Sequence, residues 1–187
     1  MRTCTSYGRG FTLVELVVVL AVMALLLFVG VPSFGDFLQN QQVRVAGDAI
    51  LNGLQVARAE AMRRNVSVQV AVNVPATGWT VSESASGAPI QSRTHEEGSR
   101  NAIVGTTPGG ATTITFTPLG GVTSNADGSL PVNQFDINFD KPGAICQTPT
   151  SPVGVRCLRI LVSGGGSTRM CEPGERVFNP PSPRACP

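Results

Sequence analysis

The sequence predicts an α+β fold: one long N-terminal helix whose second half packs on an antiparallel β-sheet domain. Three observations predict it. An unbroken apolar run covers Leu16 to Val31, apolar residues then recur at three- or four-residue steps as far as Ala61, and after Asn65 the period changes to two. A period near 3.6 puts one face of a helix on a core, whereas a period of two puts one face of a strand there.

Between Phe11 and Val31 only Thr12, Glu15 and Gly30 are not plainly apolar, and the run matches the ~20 residues a helix needs to cross a bilayer core. Residues 11–31 are therefore predicted to span a membrane. The residues ahead of the run include Arg2 and Arg9 and no acid, which places the N-terminus in the cytoplasm and everything after Pro32 across the membrane. Val29-Gly30-Val31-Pro32 has no small-x-small cleavage pattern, so the apolar segment is expected to be retained. Glu15 stands out: a carboxylate inside an apolar helix costs a few kcal/mol and marks a functional position with a partner.

Beyond Pro32, where one backbone hydrogen bond is lost and a bend is permitted, Phe34, Phe37, Leu38, Val43, Ala46, Ile50, Leu54, Ala57 and Ala61 form one helical stripe. Asp36, Arg44, Asp48, Arg58, Glu60 and Arg63 fall largely between them. The helix is predicted over 11–64, about 80 Å at ~1.5 Å per residue. A β domain is predicted over 65–187. Its strand candidates are Val66 to Val70, Gly78 to Val81, Ala102 to Val104, Thr113 to Thr117, Phe135 to Phe139 and Cys157 to Val162, with Gly, Pro, Ser and Asn between them. Ser82 to Arg100 reads as a variable loop.

With 187 residues the chain has room for one modest globular domain beyond the helix. Without the residues up to Gly10, twelve basic side chains balance twelve acidic ones, so net charge argues neither for nor against nucleic acid. The distribution says more. Val66 to Ile145 carries three basic residues against six acids, whereas Arg156, Arg159, Arg169, Arg176 and Arg184 face only Glu172 and Glu175 after Cys146. Cys146, Cys157, Cys171 and Cys186 all lie in the last quarter, and an even cluster in an exported domain reads as disulfides. Four cysteines allow three connectivities; Cys146 with Cys157 and Cys171 with Cys186 close two short local loops and are the pairs expected.

No catalytic constellation assembles, and the chain is read as a non-enzyme without cofactor or metal. The single histidine, His95, lies in the polar stretch Arg93 to Glu97, and no nucleophile, Walker or zincin pattern is present. Asp136 and Asp140 share a strand face and Asn125-Ala126-Asp127-Gly128 is rich in oxygen, but the remaining ligands of a calcium loop are missing and the composition fits a turn. Gly164-Gly165-Gly166 lacks the Lys-Ser/Thr of a phosphate loop and reads as a flexible turn.

A short basic leader ending in Gly10, then Phe11, then Glu15 resembles the start of a type IV prepilin. The resemblance implies a leader over 1–10, cleavage between Gly10 and Phe11 by a prepilin peptidase, and N-methylation of Phe11. It also implies that Glu15 neutralises the Phe11 amine of a neighbouring subunit during assembly, since a matched charge pair in a helical bundle costs far less than an isolated charge. Leu54 to Ala61 running into Arg64 to Val68, Ile114 to Gly121, and Cys157 to Val162 with glycines after it resemble the GspH/FimT family of that superfamily, which holds the pseudopilin GspH and the minor pilins FimT and FimU.

The implied function is that of a minor pilin, resident in the inner membrane with a periplasmic domain and then in the pilus beside other pilins. Gly166-Ser167-Thr168-Arg169 lies where DNA-binding members carry Gly-Arg-x-Arg, with Ser167 in place of the first arginine. A cysteine-closed loop presenting Arg169, Arg176 and Arg184 suits phosphate oxygens of double-stranded DNA taken up in natural transformation. The alternative is a structural minor pilin or type II secretion pseudopilin that primes assembly without binding DNA.

Overall fold

The computed structural model describes residues 11–140, 146–147, 154–174 and 184–187, with the side chains of 29–34 and 36 outside the description. The chain falls into two units, Met1–Phe37 and Leu38–Pro187. A single helix, α1 (Leu13–Arg64, 52 residues), contributes to both.

In the first unit α1 starts behind Thr12, whose hydroxyl accepts the Glu15 N–H at 3.2 Å while its carbonyl accepts the Leu16 N–H. That side chain caps one of the orphan donors of the first turn. Phe11 to Phe28 are all exposed. Among the described residues no helix is long and apolar enough to cross a membrane. The span expected over 11–31 runs past Phe28 into residues whose side chains lie outside the description, and the leader 1–10 lies outside it altogether.

In the second unit α1 buries Val43, Ala46, Ile50, Leu54, Ala57 and Ala61, the stripe expected from the period. It ends where Asn65 takes φ +56°, the left-handed conformation that commonly follows a helix. Arg63 and Arg64 in the last turn both grip Glu60, at 2.7 and 2.6 Å, and hold its carboxyl down to about 2.

Among the described residues nine strands follow, all paired antiparallel: β1 (Val68–Val72), β2 (Trp79–Glu83), β3 (Pro89–Arg93), β4 (Ala102–Thr107), β5 (Thr113–Phe116), β6 (Val122–Thr123), β7 (Gln134–Phe139), β8 (Leu158–Val162) and β9 (Thr168–Cys171). They form one sheet in the order β3-β2-β1-β5-β6 and another in the order β4-β7-β8-β9. Strict alternation of buried and partly exposed residues along β1, β7 and β8 shows that one face of each sheet is covered.

The helix approaches both sheets through glycines. A Cβ at Gly47 would meet Leu158 and Met170 at 3.1 and 3.2 Å, and one at Gly53 would meet the Trp79 ring at 2.9 Å. α1 thus lies over the inner faces of both sheets, and the residues of β7, β8 and β9 that alternate with Ile137, Leu158 and Met170 point away from it.

Three strands were not legible. β3 lies inside the segment expected to be a loop; it is an edge strand beginning at a proline, with only Ile90 and Arg93 partly buried, so it lacks an apolar face to betray it. β6 has only two residues. β9 corrects the C-terminal reading: Arg169 stands on a strand paired with β8, opposite Leu161, and not in a loop.

The Asn125 stretch is a turn, with Gly128 at φ +79°. The buried Asn125 side chain accepts the Thr115 hydroxyl and donates to Thr113 O and the Ser129 hydroxyl, so its oxygen is already engaged in the fold. Of the two aspartates expected to share a strand face, Asp136 is held by Arg159 and Gln134, whereas Asp140 falls beyond the end of β7.

Candidate functional site

Two regions carry the residues singled out by sequence. At the N-terminus Phe11 is 79% exposed and precedes the helix, and Glu15 sits exposed in its first turn. Gly10 lies outside the described residues. The Thr12 cap was missed, although Thr-x-x-Glu ahead of an apolar run is the pattern of a helix start and could have found it.

At the C-terminus the structure joins Cys146 to Cys157 and Cys171 to Cys186, with Cα separations of 5.3 and 5.0 Å. Closing loops of 11 and 15 residues removes chain entropy worth about 3 kcal/mol each. The second bridge ties the chain end to β9, where the Glu172 N–H also donates to Arg184 O at 2.8 Å.

The three arginines proposed as a set are not equivalent. Arg169 is exposed on the sheet face turned away from α1, with no polar partner among the described residues. Arg184 stands 3.6 Å from Glu172. Arg176 lies outside the described residues. Sequence reasoning passed over Arg159, which projects from β8 on the same outer face as Arg169 and meets Asp136 at 2.6 Å. Cross-strand pairing puts Asp136 directly opposite Arg159, which spacing along the chain does not reveal.

The three stretches that carry the family resemblance meet at one point. Arg58 of α1 donates from Nε to Gly120 O at 3.0 Å and from Nη2 to Gly165 O at 3.4 Å. The Val122 N–H donates to Gly164 O at 2.8 Å, so the turn after β5 and the turn after β8 are joined to each other as well as to the helix. Gly166 has φ +76°, and a Cβ on it would fall 1.9 Å from Gly120 O. Gly164 and Gly165 form an exposed turn, as the sequence suggests, but Gly166 is a close-packed junction; only a residue without a side chain admits that approach.

A family profile described as type II transport protein GspH matches residues 46–166, a span that includes Arg58, Gly120 and Gly166 and stops before Arg169. A second, the prokaryotic N-terminal methylation motif, matches residues 6–31. The fold is similar to crystal structures of the type IV minor pilin FimU of Pseudomonas aeruginosa strain PAO1. In one crystal form the identity is 18% over 72% of this chain and 91% of that one, with a TM-score of 0.51. In another it is 17% over 68% and 90%, with a TM-score of 0.45. No curated protein matches the chain. The α+β architecture, the match over most of the chain and the methylation motif at its head agree: this protein belongs to the GspH family of type IV pilin-like proteins.

Proposed function

We propose that the protein is a minor type IV pilin, cleaved between Gly10 and Phe11 by a prepilin peptidase, N-methylated at Phe11, and held in the inner membrane by residues 11–31 until it joins the pilus beside other pilins. The observation that carries this reading is the exposed, largely apolar stretch from Phe11 to Phe28, which leads into and opens α1 and lies within the methylation motif. So much continuous apolar surface requires lipid or other subunits around it, and Glu15 within it requires a positive partner there. The Phe11 amine of a neighbouring subunit supplies one. The family and fold are those of a structural subunit, not an enzyme.

Replacing Gly10 by Leu in the full-length chain is expected to leave precursor in the membrane, visible as slower gel mobility. Normal maturation of that variant would remove the peptidase assignment. Glu15→Ala is expected to mature normally and to fall about tenfold or more in sheared pilus fractions, the scale set by burying an unpaired amine. Equal recovery would refute the charge pairing.

Capture of double-stranded DNA for transformation is the second reading, supported by the exposure of Arg169 at the bridged end of β9. Three phosphate contacts would make log affinity fall with log salt with a slope of about −3. Changing Arg169, Arg176 and Arg184 together to Gln is expected to abolish a gel shift seen at low salt. A shift that survives all three changes, or none at low salt in the parent, favours a pilus or type II secretion subunit that primes assembly without DNA.

A further inference from the structure

The outer face of the second sheet carries a pocket of about 370 Å³ beside the first disulfide. Asp136, Asn138 and Arg159 line it, together with the Cys146–Cys157 bridge, Pro173 and Gly174. Its size is at the lower end of the range for small-molecule sites, and its polar groups are arranged with one bias.

Asp136 has both oxygens engaged. Oδ1 accepts Arg159 Nε at 2.6 Å and Oδ2 accepts Gln134 Nε2 at 2.6 Å. The carboxylate therefore acts as a clamp that orients the guanidinium, leaving the Nη1 and Nη2 groups as donors with no hydrogen-bond partner among the described residues. Arg159 keeps 32% of its side chain exposed, so this end can be reached.

Asn138 repeats the bias. Its Oδ1 accepts the Phe139 N–H at 2.7 Å, which leaves Nδ2 as a further donor unpartnered among the described residues. Two guanidinium donors and an amide donor thus line one pocket, while the acceptors beside them are spent within the fold. Arg169 projects from the same sheet face.

We propose that this pocket is a phosphate-binding site, with Arg159 as a two-pronged donor and Asn138 as a third. A planar guanidinium held at Nε presents the other two nitrogens in the geometry that matches two phosphate oxygens. Its phosphate comes from a DNA backbone or from phosphate in solution. The site does not depend on Arg169, Arg176 or Arg184, or on the transformation reading.

The test uses the mature full-length protein in detergent micelles, with arginine side-chain N–H signals followed by NMR. Inorganic phosphate is titrated against chloride at equal ionic strength, and a short DNA duplex is titrated separately. Phosphate is expected to shift the Arg159 signals saturably. Arg159→Gln and Asn138→Asp are each expected to weaken that binding by about tenfold or more, the scale of a lost or repelled charged hydrogen bond. Asn138→Asp leaves the Arg159 to Asp136 pair in place and decides the matter should Arg159→Gln fail to fold. A duplex that competes with phosphate and weakens in the same variants identifies the DNA backbone as the source. Phosphate binding lost in the variants with duplex binding unchanged, or with no duplex binding at all, identifies free phosphate; the last result also removes the DNA reading while the pocket assignment stands. Arg159 signals that move no more in phosphate than in chloride, or wild-type phosphate affinity in Asn138→Asp, overturn the proposal.

Discussion

Gly166→Ala is expected to destabilise the second unit by about 2–5 kcal/mol. An alanine at φ +76° costs about 1–2 kcal/mol in backbone strain. The larger part comes from the added carbon, which would lie 1.9 Å from Gly120 O. That neighbour is backbone, in a turn where Gly120 itself has φ +80° and its carbonyl accepts Arg58 Nε, so it cannot swing aside as a flexible side chain would. Moving it breaks the hydrogen bonds that join α1 to both sheets, and forced overpacking of this kind costs about 1–3 kcal/mol. Total stabilities of about 5–15 kcal/mol make such a loss large. Urea unfolding of the mature protein should show a lower midpoint with an unchanged slope. Wild-type stability would mean that the two turns do not touch as described.

The second large effect is at Gly53, where the direction of the change is diagnostic. In an exposed helix, Gly to Ala stabilises by about 1 kcal/mol. Here the new carbon would stand 2.9 Å from two ring atoms of Trp79, a side chain only 2% exposed. A fused ring in a filled core has no alternative rotamer nearby, so either the ring or the helix must shift. Gly53→Ala is expected to lose about 1 kcal/mol net, and Gly53→Leu about 3 kcal/mol, by the usual costs of overpacking. Trp79 is the single tryptophan of the chain, so its emission reports the site directly, and it should shift in both variants. A stabilised Gly53→Ala with unchanged emission would show that the ring does not lie on this glycine.

These two glycines mark the boundary of what the sequence could say. Its periods located α1, with the stripe from Val43 to Ala61 and the end near Asn65, because helix amphipathicity is a local property repeated over many residues. The same logic found β1, β2, β4, β5, β7 and β8, whose alternating or apolar residues face a core. It could not find β3 or β9, which take their places from pairing with a neighbour strand and carry little apolar patterning of their own. Gly53 carried no signal in the sequence, and Gly166 read only as part of a flexible turn, since nothing local says that a ring or a carbonyl lies against them.

The functional residues divide in the same way. The N-terminal methylation motif over residues 6–31 was legible because a processing signal is read as a linear string, and the cysteine pairs because short loops close most easily. Arg58 and Arg159 were not, because a lone arginine on a helix or strand has no pattern. Their roles come from partners far along the chain, Gly120 and Gly165 for one and Asp136 for the other. The sequence by itself determined the helix, six of the strands and the family, all of which rest on local periodicity and contiguous motifs. Only the tertiary structure decided which turns touch, which glycines are obligatory and which arginine is clamped over a pocket, because those depend on contacts between residues that chain order keeps apart.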